Sequence, residues 1–490
     1  MNLLFLPVIL LVPYVESVSR WNVFSTNTLL QWIDTTSVHA SDNMDRNVHF
    51  GISRTACTPI HLNMVVRDAA HFPSIQKMKD IKTLHEKIVQ SKDSKTFPEL
   101  EKWKLEYDIS MADKLSSKGI EEITQLGSRI GKSFKDVLHD FAQNLRSVMV
   151  VSSSNRKAIN SSKYFEQGLL SQLSKLSRFE NKINDSTAAF SRNCYNHEKQ
   201  QHEDISKHVS QFHNFSKSPA FVKIIDSVRR KLGMQLHLSY ADVYLINEWC
   251  AYGTYISNDM TWCHLLTDED RDVLEYGQDL LKYYEYSYGH QNNSKMACPL
   301  VRDIFNTLDS AINRTWNYFK EADGYEKRYV GAKFYFGDSD TLIPLLTALG
   351  MYKDPNPLLA SNMKAMQDRK FKTSQISSFA SSVAFILYAC DNTRRLALNE
   401  FYPGQQEFRI HAFVNEKRVP FCSHQYYCLY DDVRETFTDA IENCNITEVC
   451  GVKPDRAEMI EPGDGASSPS LHMAFTFLSL FVISLSIFMF

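Results

Sequence analysis

Apolar residues follow two rhythms along this chain. Residues 60–66, 147–151 and 333–336 are short, mostly apolar runs rich in β-branched or aromatic residues, and each breaks off into a polar turn. The turns are Arg67-Asp68, Ser152-Ser153-Ser154-Asn155-Arg156 and Gly337-Asp338-Ser339-Asp340. Strand, tight polar turn and helix make the repeating unit of an α/β sheet. Open sheets of this kind bind ligands beyond the carboxyl ends of their strands, so the three turns are expected to face one site. Between residues 161 and 330 the rhythm lengthens to three and four, as in Phe165, Leu169, Leu170, Leu173 and Leu176, which predicts long amphipathic helices. Tyr276, Tyr283, Tyr284, Tyr286 and Tyr288 in that stretch have mixed spacing and read as packing residues. Strand-like runs then return, and residues 408–413 and 419–421 flank Asn415-Glu416-Lys417-Arg418 as a hairpin would. The expected fold is an α/β sheet domain formed by residues 57–160 and 331–450, with an α-helical domain inserted at 161–330.

The two ends of the chain add a compartment. Residues 1–18 hold a short apolar run ending near Pro13, too short to span a bilayer, and read as a cleaved secretory signal. Residues 451–473 are rich in small and polar residues, including Pro462-Gly463-Asp464-Gly465-Ala466-Ser467-Ser468-Pro469, and 474–490 form an apolar tail with no basic residue after it. Small residues, a spacer and a terminal apolar tail predict replacement of the tail by a glycosylphosphatidylinositol anchor, whereas a membrane-spanning helix is normally followed by Lys or Arg. Ten cysteines suit an oxidising compartment. So do the glycosylation sequons at Asn160, Asn184, Asn214, Asn292, Asn313 and Asn445. The expected location is the cell surface. A formal net charge of −3 with interspersed signs offers no basic stripe for nucleic acid.

The first polar turn is the most informative. Arg67-Asp68-Ala69-Ala70-His71-Phe72-Pro73 is similar to the Arg-His-Gly-x-Arg-x-Pro motif of the histidine acid phosphatases, in which a nucleophilic imidazole stands between guanidinium groups that grip phosphate. Arg67 and Pro73 match; Asp68 stands where the family has its nucleophilic His, and His71 where it has its second Arg. Residues 119–129 resemble the helix that follows the motif. Arg156, with Phe165 and Gly168-Leu169 downstream, matches the third phosphate-gripping Arg. Gly337-Asp338-Ser339-Asp340-Thr341 resembles the Gly-His-Ala-Glu-Thr segment of multiple inositol polyphosphate phosphatases, and residues 379–390 resemble their late core segment. The resemblance implies disulfides Cys57–Cys390, Cys250–Cys263 and Cys422–Cys428, with Cys194–Cys444 as a looser analogue; it leaves Cys298 and Cys450 unplaced. It implies no cofactor, and an inositol polyphosphate or similar phosphorylated small molecule as ligand.

Charge decides what the substitutions do. The family's pocket is strongly cationic, whereas this one places Asp68, Asp338 and Asp340 beside Arg67, His71 and Arg156. A carboxylate about 4 Å from a phosphate charge costs on the order of 4 kcal/mol at an effective dielectric near 20. The expected outcome is a pseudophosphatase whose arginines are neutralised by Asp68 and Asp338, Asp338-Ser339-Asp340 serving also as a helix cap. Two other readings stay open. One is an active phosphomonoesterase on inositol polyphosphates or 2,3-bisphosphoglycerate with an altered site. The other is a cation site built from Asp68, Asp338, Asp340 and His71.

Overall fold

The computed structural model describes residues 25–28, 57–91, 97–134, 138, 147–173, 179–197, 208–233, 237–318, 330–390, 407–422 and 425–451. The expected signal peptide, and the spacer and tail from residue 452 onward, lie outside the described residues. Among those described, no helix is long and apolar enough to cross a membrane.

An eight-stranded sheet organises the fold. Its strands are β1 (Cys57–Arg67), β2 (Ser147–Ser152), β3 (Phe179–Ile183), β4 (Val330–Gly337), β5 (Ser382–Cys390), β6 (Glu407–Val414), β7 (Lys417–Val419) and β8 (Cys428–Leu429). They run in the order β3-β2-β4-β1-β5-β6-β7, with β8 also on β6. The first four are parallel, while β5, β6 and β7 are successively antiparallel. Alternation along the strands sorts their side chains to two faces. Leu62, Met64, Val66, Phe334, Phe336, Ala384 and Ile386 belong to one buried cluster, and Val65, Tyr335, Val383, Phe385 and Leu387 to the other.

Helices α1 (Ile75–Gln90), α2 (Ser117–Ser133), α3 (Arg156–Leu170), α4 (Pro219–Lys231), α5 (Tyr240–Tyr252), α6 (Asp268–Tyr286), α7 (Cys298–Tyr318) and α8 (Ser339–Ala348) cover the sheet and build the helical region. α2 and α3 pack on the first face. Their backbones touch at Gly168, where an added Cβ would stand 1.9 Å from the Thr124 carbonyl oxygen. The second face is continuous with the core of α4–α7. Buried Asn63 of β1 donates to the Ile304 carbonyl and to Thr307 on α7 at 3.3 and 3.0 Å, and Lys333 of β4 reaches Asp303 at 2.7 Å.

Two expectations change in detail. Residues 179–183, inside the stretch expected to be helical, form β3 and pair with β2, so the helical region begins after the edge strand. The hairpin turn is only Asn415-Glu416, both with positive φ (49° and 63°), which is the two-residue geometry that matches strand twist. Its Glu416 accepts a forked contact from Arg129 of α2, with Nε at 3.0 Å from both oxygens.

Cys57 and Cys390 lie opposite one another in the β1–β5 register and are bonded, as are Cys250–Cys263 and Cys422–Cys428. Cys194 pairs with Cys450 rather than Cys444, which joins Cys298. That arrangement gives partners to both cysteines the resemblance left unplaced.

Candidate active site

The parallel ladder delivers the three polar turns to one edge. Arg67 and Gly337 are in register at the ends of β1 and β4, as are Ser152 of β2 and Phe336. The hydrogen bonds continue one step beyond the strands, from Asp68 N to the Gly337 carbonyl at 2.8 Å and from Ser153 N to the Phe336 carbonyl at 2.9 Å. Asp68, Ser153 and Asp338 therefore stand at adjacent strand ends. The turn after Asp68 is fixed by Ala69 N donating to Ser161 Oγ at 3.0 Å and by Ser116 N donating to the Ala70 carbonyl at 2.9 Å. Gly119 at the start of α2 allows this closeness, because a Cβ there would fall 2.0 Å from the Ala70 oxygen.

Arg67 is buried, and its Nη1 donates to the carbonyls of Thr26 and of Ser377, the latter at 2.7 Å. Its guanidinium carbon lies 4.5 Å from the Phe379 ring centroid. Nε faces Asp68 Oδ1 at 3.5 Å, too far for a good hydrogen bond. Both of those buried atoms lack a hydrogen-bond partner among the described residues. Burial pushes the Asp68 carboxyl up to about 6, against the pull of Arg67 and Lys157.

His71 is also buried, and burial holds its pKa well below the ordinary value, so the imidazole is neutral. Its Nδ1 is 2.9 Å from the Phe72 carbonyl oxygen. A carbonyl only accepts, so Nδ1 carries the proton and Nε2, 4.0 Å from Asp68 Oδ2, presents a lone pair. The Tyr255 hydroxyl donates to the His71 carbonyl at 2.9 Å. Tyr255 comes from the π-helical turn Gly253–Ser257, which lies inside the loop closed by Cys250–Cys263.

The second segment is taken up by other cations. Asp338 stands at the N-cap position of α8 but, contrary to the expected cap, its side chain bonds no backbone N–H of that helix; it accepts from Thr341 Oγ1 at 3.2 Å and is bonded by Arg192. Asp340 accepts from Lys282 Nζ at 3.2 Å and Ser339 Oγ at 3.0 Å. Burial works against its charge, but Lys282 and the hydrogen bonds from Ser339 and Tyr286 together outweigh burial and leave the pKa lowered. Lys282 is held in turn by Glu285 at 3.4 Å and lies 4.5 Å over the Tyr286 ring.

The expected third arginine opens α3. Arg156 stands exposed as the first residue of that helix, whereas its neighbour Lys157 acts, together with Arg67, on both Asp68 and His71 and reaches Asp113 at 3.5 Å. Asn155 caps the helix through Lys157 N at 3.1 Å, and one residue of helical phase separates a side chain facing solvent from one facing the pocket. Sequence reasoning missed Lys157, Arg192, Lys282 and Tyr255. Lys157 was one residue away; the other three come from distant segments with no local signal.

Among the described residues, no group of three or more His, Cys, Asp or Glu is placed to hold a metal ion. Asp68, Asp338, Asp340 and His71 do not converge as a cation site, because each carboxylate faces a different cation. Of the sequon residues, Asn184, Asn214, Asn292, Asn313 and Asn445 are exposed and Asn160 is half-buried.

Residues 30–403 match the sequence profile of the histidine phosphatase superfamily (branch 2). Multiple inositol polyphosphate phosphatase 1 of Gallus gallus is 28% identical over 419 residues, covering 84% of this chain and 89% of the relative. Its Homo sapiens counterpart is 26% identical over 419 residues, covering 80% and 82%. Among solved structures, the D. castellii phytase superposes with a TM-score of 0.63 at 15% identity, covering 84% of this chain and 87% of its own. The Bifidobacterium longum multiple inositol polyphosphate phosphatase, in complex with inositol hexasulfate, superposes with a TM-score of 0.60 at 13% identity, covering 83% and 98%.

Proposed function

We propose a function that starts from descent: this chain belongs to branch 2 of the histidine phosphatase superfamily, and it keeps the family's fold without the phosphohistidine reaction. The observation that carries this reading is Asp68. It occupies the position the motif gives to the nucleophilic histidine, buried at the end of β1 and paired at 3.5 Å with the first motif arginine. Above pH of about 6 it is charged, and a carboxylate approaching a phosphate dianion is repelled by several kcal/mol at contact. Below that pH it is a neutral acid and a poor nucleophile. Arg67 already serves two backbone carbonyls, and Asp338 and Asp340 are matched by Arg192 and Lys282.

The protein is, on this reading, a cell-surface pseudophosphatase that takes up a small phosphorylated molecule such as an inositol polyphosphate. Lys157, Arg192 and Lys282 are what favours the opposing reading of an active, altered phosphomonoesterase, since they replace part of the lost positive charge.

One assay separates the two. Phosphate release from inositol hexakisphosphate by the purified protein is expected at background. Asp68→His alone should recover little, and the combination Asp68→His, His71→Arg and Asp338→His markedly more, because residues acting as a unit are strongly non-additive. Wild-type turnover that disappears in Asp68→Ala would establish the opposing reading. Surface attachment has its own test: phosphatidylinositol-specific phospholipase C should release the protein from intact cells, and retention beside a released lipid-anchored control would refute the anchor.

A further inference from the structure

The residues that close one side of the pocket are also those that carry two of the sequons. β3 is the edge of the sheet. Asn184 follows it directly, with its backbone N–H donating to the Ser152 carbonyl at 2.9 Å, level with the end of β2. The next eight residues are stitched to the pocket's own turns. Asp185 accepts from Ser154 N at 2.7 Å, Ala188 accepts from Thr341 Oγ1 at 2.7 Å, and Arg192 bonds Asp338. Asn160 lies one residue short of a helical turn beyond Lys157 on α3, and α3 meets β3 where Asn181 Nδ2 donates to Glu166 at 3.4 Å. Both sequons therefore belong to the β2–α3–β3 edge, next to the first turn of α3 that carries Lys157.

Asn184 is chemically ready for a sugar. It is exposed, and it caps the turn through Oδ1, which accepts from Ser186 N at 3.0 Å. Attachment uses the other amide atom, so the cap and the glycan are compatible.

We propose that an N-linked glycan on Asn184, supplemented by one on Asn160, screens the β3 side of the pocket and restricts it to small solutes, excluding phosphorylated proteins. In the attachment step the Asn184 Nδ2–C1 bond forms as the bond from that carbon to a lipid diphosphate oxygen breaks. The lipid diphosphate leaves and one amide proton is released. The proposal rests on the secretory reading and is independent of whether the pocket hydrolyses anything.

The test uses the full chain made in a glycosylating cell. Among the described residues no cysteine is free, so Ser154→Cys, at an exposed position in the pocket's β2 turn, supplies a reporter thiol. Its reaction with a polyethylene-glycol maleimide is compared with that of a small maleimide. The polymer should react several-fold slower than the small reagent. Asn184→Gln, or endoglycosidase trimming of the same folded protein, should remove the difference, while Asn313→Gln should leave it. Asn313 is the control because it lies on α7, whose core belongs to the opposite face of the sheet from α3. Lys182→Cys on the exposed β3 edge serves as a second reporter should Ser154→Cys misfold. Glycopeptide mass spectrometry separates the failures. Asn184 bare while Asn313 is occupied overturns the proposal alone, and every sequon bare overturns the secretory reading as well. Occupied Asn184 with equal polymer rates before and after trimming also overturns the screen.

Discussion

Two buried arginine–carboxylate groups in this molecule are built to different standards. Between α6 and the segment that follows α8, Arg369 binds Asp279 through Nε at 2.8 Å and again through Nη2, and Asp279 Oδ1 accepts from both the backbone and hydroxyl of Thr373 at 2.9 and 2.6 Å. Glu275 stands 3.6 Å away and is bonded by Ser374. At the end of β1, Arg67 and Asp68 are just as buried, yet they meet at 3.5 Å with Nε and Oδ1 left without hydrogen bonds among the described residues. The first group is a completed structural joint, in which every lone pair of Asp279 has a donor. The second is a loose pair at the candidate site, in which each partner leaves one buried polar atom without a hydrogen bond among the described residues. Buried polar groups are normally satisfied, so the Arg67–Asp68 pair is the less settled of the two.

The comparison predicts effects of opposite sign. Asp279→Ala strips buried Arg369 of its hydrogen-bonded carboxylate and leaves it only Glu275 at 3.6 Å, and should cost about 3 kcal/mol in denaturant unfolding. Asp68→Asn should do the reverse at neutral pH. The folded-state pKa of Asp68 is raised from 3.8 to about 6, so the folded chain holds this proton longer than the unfolded one. Its contribution therefore falls as pH rises through that window, by up to about 3 kcal/mol. Asparagine removes the titration but leaves Arg67 without a counter-charge, so a gain of about 1 kcal/mol is expected at pH 7.5 and little change near pH 4. Thermal melts of both proteins across that range would show it; a loss at pH 7.5 comparable to that of Asp279→Ala would dissolve the distinction. Arg192→Ala is the smallest of the three, because the Arg192 side chain is 43% exposed and such pairs contribute less than about 1 kcal/mol. A larger loss would place Arg192 among the structural joints.

Much of the frame was legible in the sequence, since β1, β2 and β4 are mostly apolar runs and their turns are abrupt. The Arg67–Pro73 stretch pointed to the candidate site because the family motif is local and short. What was not legible depends on contacts between distant segments. Arg192 sits just before Cys194 and Lys282 in the middle of α6, and neither position carries a pattern that assigns it to a carboxylate on α8. Lys157 was hidden for a different reason: the motif match pointed to Arg156, while the phase of α3, fixed by the Asn155 cap, leaves Arg156 exposed and Lys157 half-buried. β3 was hidden because Phe179–Ile183 is short and largely exposed, so it lacks the apolar run that revealed its neighbours.

The Cys57–Cys390 bond joins the start of β1 to the end of β5 across a sequence separation of 333 residues. A protease that cut the chain once anywhere between those cysteines would divide the polypeptide without dividing the molecule. The fragment bearing β1 and the fragment bearing β5 would stay cross-linked at the centre of the sheet, and would part on a denaturing gel only after reduction. For a protein expected in a protease-rich extracellular space, a nick in a surface loop is then a scar rather than a loss.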